Sequence, residues 1–362
     1  MPKIEVVVGG NAGSESKGHA AAYLALGKES YTVVRVAGPN AGHSAYGVID
    51  GVKYALCQVP VAGVTNLDCK LVIAAGSEID PEVLNREVDA LDAAGYRATE
   101  RLIIDSSATF MKPEYAQREQ ENGMWERLGS TAHGIGEARA ERIMRRALTW
   151  GQALALPEYA DLRAKYQGST MVRTDRYLRS QLAEGHDVMI EGTQGYALGL
   201  HGKHYPKCTS SDTRSIDFLA MAGLSPWGLP DTTVEPWVVI RTYPIRVAGN
   251  SGDLGTELTW EELGERTNGY IKPELTTVTK KIRRIFDWNP ELVREAIEAN
   301  GGPEVCQVFL GFFDYWYPEL AGKNSRDDLT AEHLSRLDQV ARDIGVYPAV
   351  IGTGADSRID LR

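Results

Sequence analysis

Positive charge is in deficit in this chain: 39 lysines and arginines stand against 49 aspartates and glutamates, a formal net charge of −10. That balance argues against a general nucleic-acid binder, because a phosphate backbone rewards a positive surface. It leaves room for a locally basic pocket that takes a small anion. Cysteine is scarce, and Cys57, Cys69, Cys208 and Cys306 show no Cys-x-x-Cys pairing. A zinc site or a disulfide framework is therefore disfavoured, and a reducing cytoplasm is expected. No apolar run is long enough to span a bilayer, and no basic leader or apolar signal core precedes the first strand. Repeats, low-complexity linkers and composition breaks are also missing, so residues 1–362 are expected to form one domain with elaborations.

What the chain does have begins at its first residues. Ile4-Glu5-Val6-Val7-Val8 reads as a β-branched strand, and a helical run starts near His19. Between them lies Gly9-Gly10-Asn11-Ala12-Gly13-Ser14-Glu15-Ser16-Lys17-Gly18. Strand, glycine-rich turn and helix point backbone N–H groups and a helix N-terminus at an anion, and Lys17 adds a mobile charge there. The run is not a Walker A sequence, since Ser16 and Gly18 flank Lys17, nor a clean dinucleotide fingerprint. An ordinary turn rich in small residues would read the same way.

Further apolar runs follow at 31–36, 71–74, 102–105, 188–190, 236–242, 307–310 and 347–351, with a hairpin at 46–56 turning on Asp50-Gly51. Residues 106–186 read as mainly helical. Strands alternating with helices predict an α/β fold with a mostly parallel central sheet flanked by helices. Five of these strands end in polar or glycine-rich loops: 9–18, 37–44, 191–195, 311–314 and 352–356. A sheet of this class gathers such loops at its carboxyl edge, where ligands bind. His43, in a loop with little reason to be packed, is read as a donor to a phosphate in transfer. The basic cluster from Glu274 to Arg284 suits a small dicarboxylate or a phosphate, because arginine matches two-oxygen anions. A solvated face is the plainer reading. His133, His201 and His204 lack metal-site spacing.

Together these motifs resemble those of the adenylosuccinate synthetases, over nearly the full length. The 9–18 loop is similar to the family's opening loop, and Asn40-Ala41-Gly42-His43 matches its Asn-Ala-Gly-His motif. Gly129-Ser130-Thr131 with Gly134-Ile135-Gly136 and Arg145-Arg146, then Glu191-Gly192-Thr193-Gln194-Gly195, Tyr205-Pro206-Lys207-Cys208-Thr209-Ser210-Ser211 and Gly352-Thr353-Gly354-Ala355-Asp356, follow in the family's order. The resemblance implies a P-loop-like sheet with helical insertions, a homodimer, Mg²⁺, and aspartate joined to the 6-oxo carbon of a purine nucleotide after phosphorylation of O6. It places Gly13, Ser14, Glu15, Ser16, Lys17, Gly18, Gly42, His43 and Ser44 around the donor phosphates. Ser14 and Gly42 fall beside the metal, and Asp314 and Gly354 beside the donor base. Asn40, Ser130, Thr131, Gln194 and Thr209 would hold the purine nucleotide, with Arg145 reaching across the dimer. Thr277, Val278, Thr279, Lys281 and Arg283 would take aspartate. Lys17, His43 and Ser14 are the catalytic candidates.

Two departures carry more information than the matches. The family's general base is an Asp directly before the Glu of the first loop, and here Ser14 stands there. A hydroxyl is a poor base at neutral pH. The change resembles the phage-borne, 2-aminoadenylosuccinate-forming branch of the family, which takes dGMP in place of IMP. A short side chain leaves room for guanine's 2-amino group and can accept from it. The family's Thr-Lys-Leu-Asp motif, which holds GTP, reads Gly311-Phe312-Phe313-Asp314 here. Loss of the lysine implies an adenine donor, ATP or dATP. An ordinary IMP-using synthetase and a nucleotide binder without turnover are the competing readings.

Overall fold

The computed structural model describes the whole chain except residues 130–131, 230 and 276–280 and the Trp125 side chain. Its frame is a ten-stranded sheet. In chain order the strands are β1 (Lys3–Gly9), β2 (Tyr31–Arg35), β3 (Lys70–Ile73), β4 (Leu102–Asp105) and β5 (Thr170–Met171), then β6 (Asp187–Glu191), β7 (Thr233–Arg241), β8 (Gln307–Gly311), β9 (Val350–Gly352) and β10 (Arg358–Asp360). Across the sheet they run β10-β9-β8-β7-β1-β6-β2-β3-β4-β5. Every pairing is parallel except β9 with β10.

The β-branched character of the strands explains this placement. Successive side chains point to opposite faces. In β1, Ile4, Val6 and Val8 enter one core while Val7 enters the other. Both faces are covered, as the uninterrupted apolar runs predict. Helices Thr174–Ala183, Ser215–Met221, Pro290–Ala299 and Ala331–Ile344 supply Leu178, Phe218, Val293 and Leu337 to the first core. Helix α1 (Lys17–Ala25) lies on the second, where buried Ala20, Ala21 and Ala25 allow close approach to the sheet. Nine residues are too few for a stable helix alone, so packing holds α1 in position.

The chain leaves β1, passes β6's place to reach β2, and winds outward to β5. It then returns to fill the gap with β6 and continues on the other side from β7. The reversal falls at β1, which puts the glycine-rich turn at the switch point where doubly wound sheets bind ligands.

Three sequence expectations change in detail. His43 is not in a loose loop: it opens the strand His43–Tyr46, pairs with Leu56 and is buried. The stretch 106–186, expected to be mainly helical, also holds the short strands Thr109–Phe110 and Thr170–Met171, and its helix Ile135–Ile143 stops before Arg145, whose φ is +61°. The last parallel strand starts at Val350, not Tyr347, because Pro348 supplies no N–H for the ladder.

Candidate functional site

All five loops meet at the carboxyl edge of the sheet and line one cavity of about 880 Å³. Its floor is the turn after β1. Gly13, Ser14 and Ser16 have φ of +90°, +58° and +73°, which curls the backbone into a nest of inward N–H groups. Glu15 fills that nest. Its Oε1 accepts from the N–H of Gly13 at 2.6 Å and of Asn11 at 3.2 Å, and Lys17 Nζ lies 2.5 Å from its Oε2. Both side chains are buried. The turn therefore holds an anion of its own, paired with the lysine expected to meet phosphate. A β-carbon on Gly18 would stand 2.6 Å from the Ser44 carbonyl oxygen. Glycine there is what brings the first turn of α1 against Gly42, His43 and Ser44.

Non-glycine residues in the left-handed region are uncommon and collect at functional sites. Ser14, Ser16, Gln194 and Phe312 all adopt it, and all four line the cavity.

His43 sits on a buried ion pair. Arg35 Nη1 lies 2.8 Å from its Nδ1 and 3.5 Å from Glu191 Oε2, which is itself 3.3 Å from Nδ1. Glu191 also accepts from the N–H of Val61 and Ala62. Arginine can only donate, and its contact is the shorter one. Nδ1 therefore accepts and the proton resides on Nε2. Burial pulls the His43 pKa down to about 3, and the Arg35 charge adds to the shift. Burial would raise the Glu191 acid, but the Arg35 charge and the N–H of Ala62 help to offset it, so it lies below the usual range. His19, on α1, is likewise neutral: burial brings it to about 4, with Arg358 contributing.

These two rings give a pH prediction for the ligand-free protein. The unfolded chain binds a proton at each histidine near pH 6.5, while the folded chain refuses it. Stability therefore falls as pH drops below 6.5, by about 2 kcal/mol per histidine between pH 7 and pH 5. Urea midpoints across that range should decline, and more gently in His19→Asn. An equal slope in that variant would contradict the assignment.

At the end of β7, Arg241 joins three parts of the rim. Its guanidinium donates to Glu274 Oε1 at 2.6 Å and to the Ser14 carbonyl at 3.0 Å, and stacks 3.9 Å from the Phe312 ring centroid. Burial would push the Glu274 acid up, but Arg241 outweighs it, so the carboxyl lies below its ordinary range. Arg283 Nη1 donates to Ser14 Oγ at 3.0 Å. Asp314 accepts from Tyr270 Oη at 2.6 Å, and burial raises its pKa. Arg127, Lys207 and Arg246 form a basic corner near Thr209. Burial, with Arg284 nearby, lowers Arg246 to about 10.

Most expected residues converge here. Gly13, Ser14, Ser16, Lys17 and Gly18 line the cavity with Asn40, Gly42, His43 and Ser44, and so do Gln194, Thr209, Arg283, Asp314 and Gly354. Glu15 lies beneath them, shielded from the cavity. Arg145 is exposed on the surface and does not line the cavity of its own chain. Lys281 is exposed beyond the rim. Ser130, Thr131, Thr277, Val278 and Thr279 fall outside the described residues. Sequence reasoning missed Arg35, Arg241, Tyr270 and the role of Glu191. The available signal was a charged residue closing an otherwise apolar strand, as Arg35, Glu191 and Arg241 do.

The chain as a whole has known relatives. A family model described as adenylosuccinate synthetase matches residues 6–168 and 153–315. Adenylosuccinate synthetases of Methanococcus vannielii and Thermococcus sibiricus are 31% and 32% identical over 361 residues, spanning 99% of this chain and 98% of each relative. Among solved structures, the cyanophage S-2L succinoaminodeoxyadenylate synthetase, bound to dGMP and to dATP as an energy donor, matches with a TM-score of 0.78 at 27% identity, over 99% of this chain and 95% of that one. The fully ligated adenylosuccinate synthetase from Plasmodium falciparum matches with a TM-score of 0.81 at 17% identity over 99% of both chains, a likeness of fold.

Proposed function

We propose that this chain, which belongs to the adenylosuccinate synthetase family and is a ligase joining aspartate to a purine nucleotide, takes dGMP as that nucleotide and ATP or dATP as donor. The product would be N6-succino-2-amino-2′-deoxyadenylate, a precursor of 2-aminoadenine in DNA. The observation that carries this reading is Ser14. Its short side chain lines the cavity on the turn after β1, where the family resemblance expects an aspartate, and would leave space beside the purine's 2-position. Its Oγ, which already accepts from Arg283, has a second lone pair for the 2-amino group. The 27% identity to a synthetase bound to dGMP and dATP supports the same choice.

In this scheme the N1 proton passes to water as O6 of the nucleotide attacks the donor's terminal phosphorus and the nucleoside diphosphate leaves. The aspartate amine then attacks C6 and phosphate leaves. Lys17 and the Nε2–H of His43 meet the transferring phosphoryl oxygens. Asn40, Gln194 and Thr209, with Ser130 and Thr131, hold dGMP, and the basic corner faces its 5′-phosphate. Thr277, Val278, Thr279, Lys281 and Arg283 take the aspartate carboxylates. Glu15, already engaged by three donors beneath the cavity, is a poor choice for the N1 proton.

Among the described residues no cluster of three or more acidic, His or Cys side chains is present to hold a metal. The Gly42 carbonyl, and the Ser14 hydroxyl once Arg283 has turned from it to the aspartate carboxylates, are neutral hard oxygens at the cavity. They suit Mg²⁺ that arrives on the triphosphate and keeps most ligands from phosphate and water. Such an ion would neutralise charge on the transferring group. The enzyme would act as a homodimer in which the exposed Arg145 serves the neighbouring site, with residues 1–362 as one domain.

The reading with IMP as substrate is favoured by the archaeal relatives. Ser14→Asp separates the two. The variant should lose at least about tenfold in kcat/KM for dGMP and gain with IMP, a change of roughly 1.4 kcal/mol or more in discrimination. Unchanged dGMP turnover with no gain for IMP would remove Ser14 from the account.

A further inference from the structure

We propose that Tyr270 sets the donor's base preference by occupying one oxygen of Asp314. The inference rests on the reading above that Asp314 faces the donor base. Asp314 lines the cavity with Phe312 and Gly354, at the ends of β8 and β9. Its side chain is 4% exposed, its Oδ2 accepts from the Tyr270 hydroxyl at 2.6 Å, and its Oδ1 is buried with no partner among the described residues. An orphaned buried acceptor of this kind is costly unless a ligand completes it.

The two purines ask different things of that carboxylate. Guanine presents N1–H and N2–H side by side, which match both oxygens of a free carboxylate. Adenine presents one N6 amino donor next to an acceptor nitrogen, and so uses a single carboxylate oxygen. With Oδ2 held by Tyr270, Asp314 offers one free oxygen. Guanine's second donor would have to share Oδ2 with the tyrosine hydroxyl, one lone pair each, and so pairs less well there than with a free carboxylate. Tyr270 is thus a specificity residue: its hydrogen bond takes one lone pair of the oxygen that guanine's second donor needs and adenine's single donor does not. Its ring meets Tyr315 edge-on, with centroids 6.3 Å apart. Phenylalanine retains that contact and removes only the hydroxyl.

The test compares kcat/KM for ATP and GTP, with dGMP and aspartate saturating, in the wild type and in Tyr270→Phe. The wild type should prefer ATP. In the variant the GTP-to-ATP ratio should rise about tenfold, mainly through a lower KM for GTP. A purely structural role would lower both donors together and leave the ratio in place. A wild type that prefers ATP with an unchanged ratio in the variant overturns the role of Tyr270 and leaves the donor reading standing. Strict GTP use by the wild type overturns both.

Discussion

Replacing Lys17 by alanine should lower kcat by about a thousandfold and lower the melting temperature as well. The two losses have separate origins. Lys17 is buried at the start of α1, where the helix N-terminus and the nest already favour an anion. In the proposed reaction its charge would follow the phosphoryl group as negative charge shifts between oxygens, and removing one such preorganised donor costs about 2.7–4 kcal/mol of barrier. The stability loss comes from Glu15. Without Lys17 its carboxylate stays buried with only the N–H groups of Asn11 and Gly13. Breaking a buried pair from one side costs about 3–5 kcal/mol, and those two hydrogen bonds hold the cost to the lower end. The double variant Lys17→Ala, Glu15→Gln discriminates: it should recover most of the melting temperature and none of the turnover. Recovery of both would mean that Lys17 serves the fold alone.

His43→Ala should lower kcat by about a hundredfold or more while the melting temperature moves little. The contrast with Lys17 follows from what remains. Arg35 and Glu191 stay within 3.5 Å of each other, and Glu191 keeps the N–H groups of Val61 and Ala62. No buried charge is orphaned. What is lost is the Nε2–H that the Arg35 contact fixes in place. Arg35→Lys should act in the same direction, more weakly, since lysine keeps the charge but loses the planar fork that reaches both Nδ1 and the Ala41 carbonyl. A drop in melting temperature as large as that of Lys17→Ala would assign His43 to the scaffold.

The frame of this site was legible because local pattern carried it. β-Branched runs closed by small and polar residues specify parallel strands with loops at one edge, and the five loops named from sequence all line the cavity. The support beneath the site was not legible. His43 and Glu191 are 148 residues apart, and Arg241 and Glu274 are 33 apart. No periodicity announces pairs that form only when segments far apart in the chain become neighbours, as Arg35 and Glu191 do across β2 and β6. His43 shows the cost of reading locally. Its flanking glycine and asparagine suggest a loose loop, yet pairing with Leu56 in a hairpin draws it into a strand and buries it. Asp314 shows the opposite case. The motif named it as a site residue; it lines the cavity, and its contact with the Tyr270 hydroxyl had no signal in the sequence.

The central claim is that this ligase uses the nucleotide with the 2-amino group. The direct measurement is mass spectrometry of the product formed by the purified protein with Mg²⁺, ATP and aspartate, given dGMP and IMP together at equal concentration, with aspartate omitted as the control. The account predicts the succino adduct of dGMP as the dominant product, and no adduct without aspartate. An adduct formed from IMP with dGMP left intact would contradict it and return Ser14 to a conventional adenylosuccinate synthetase.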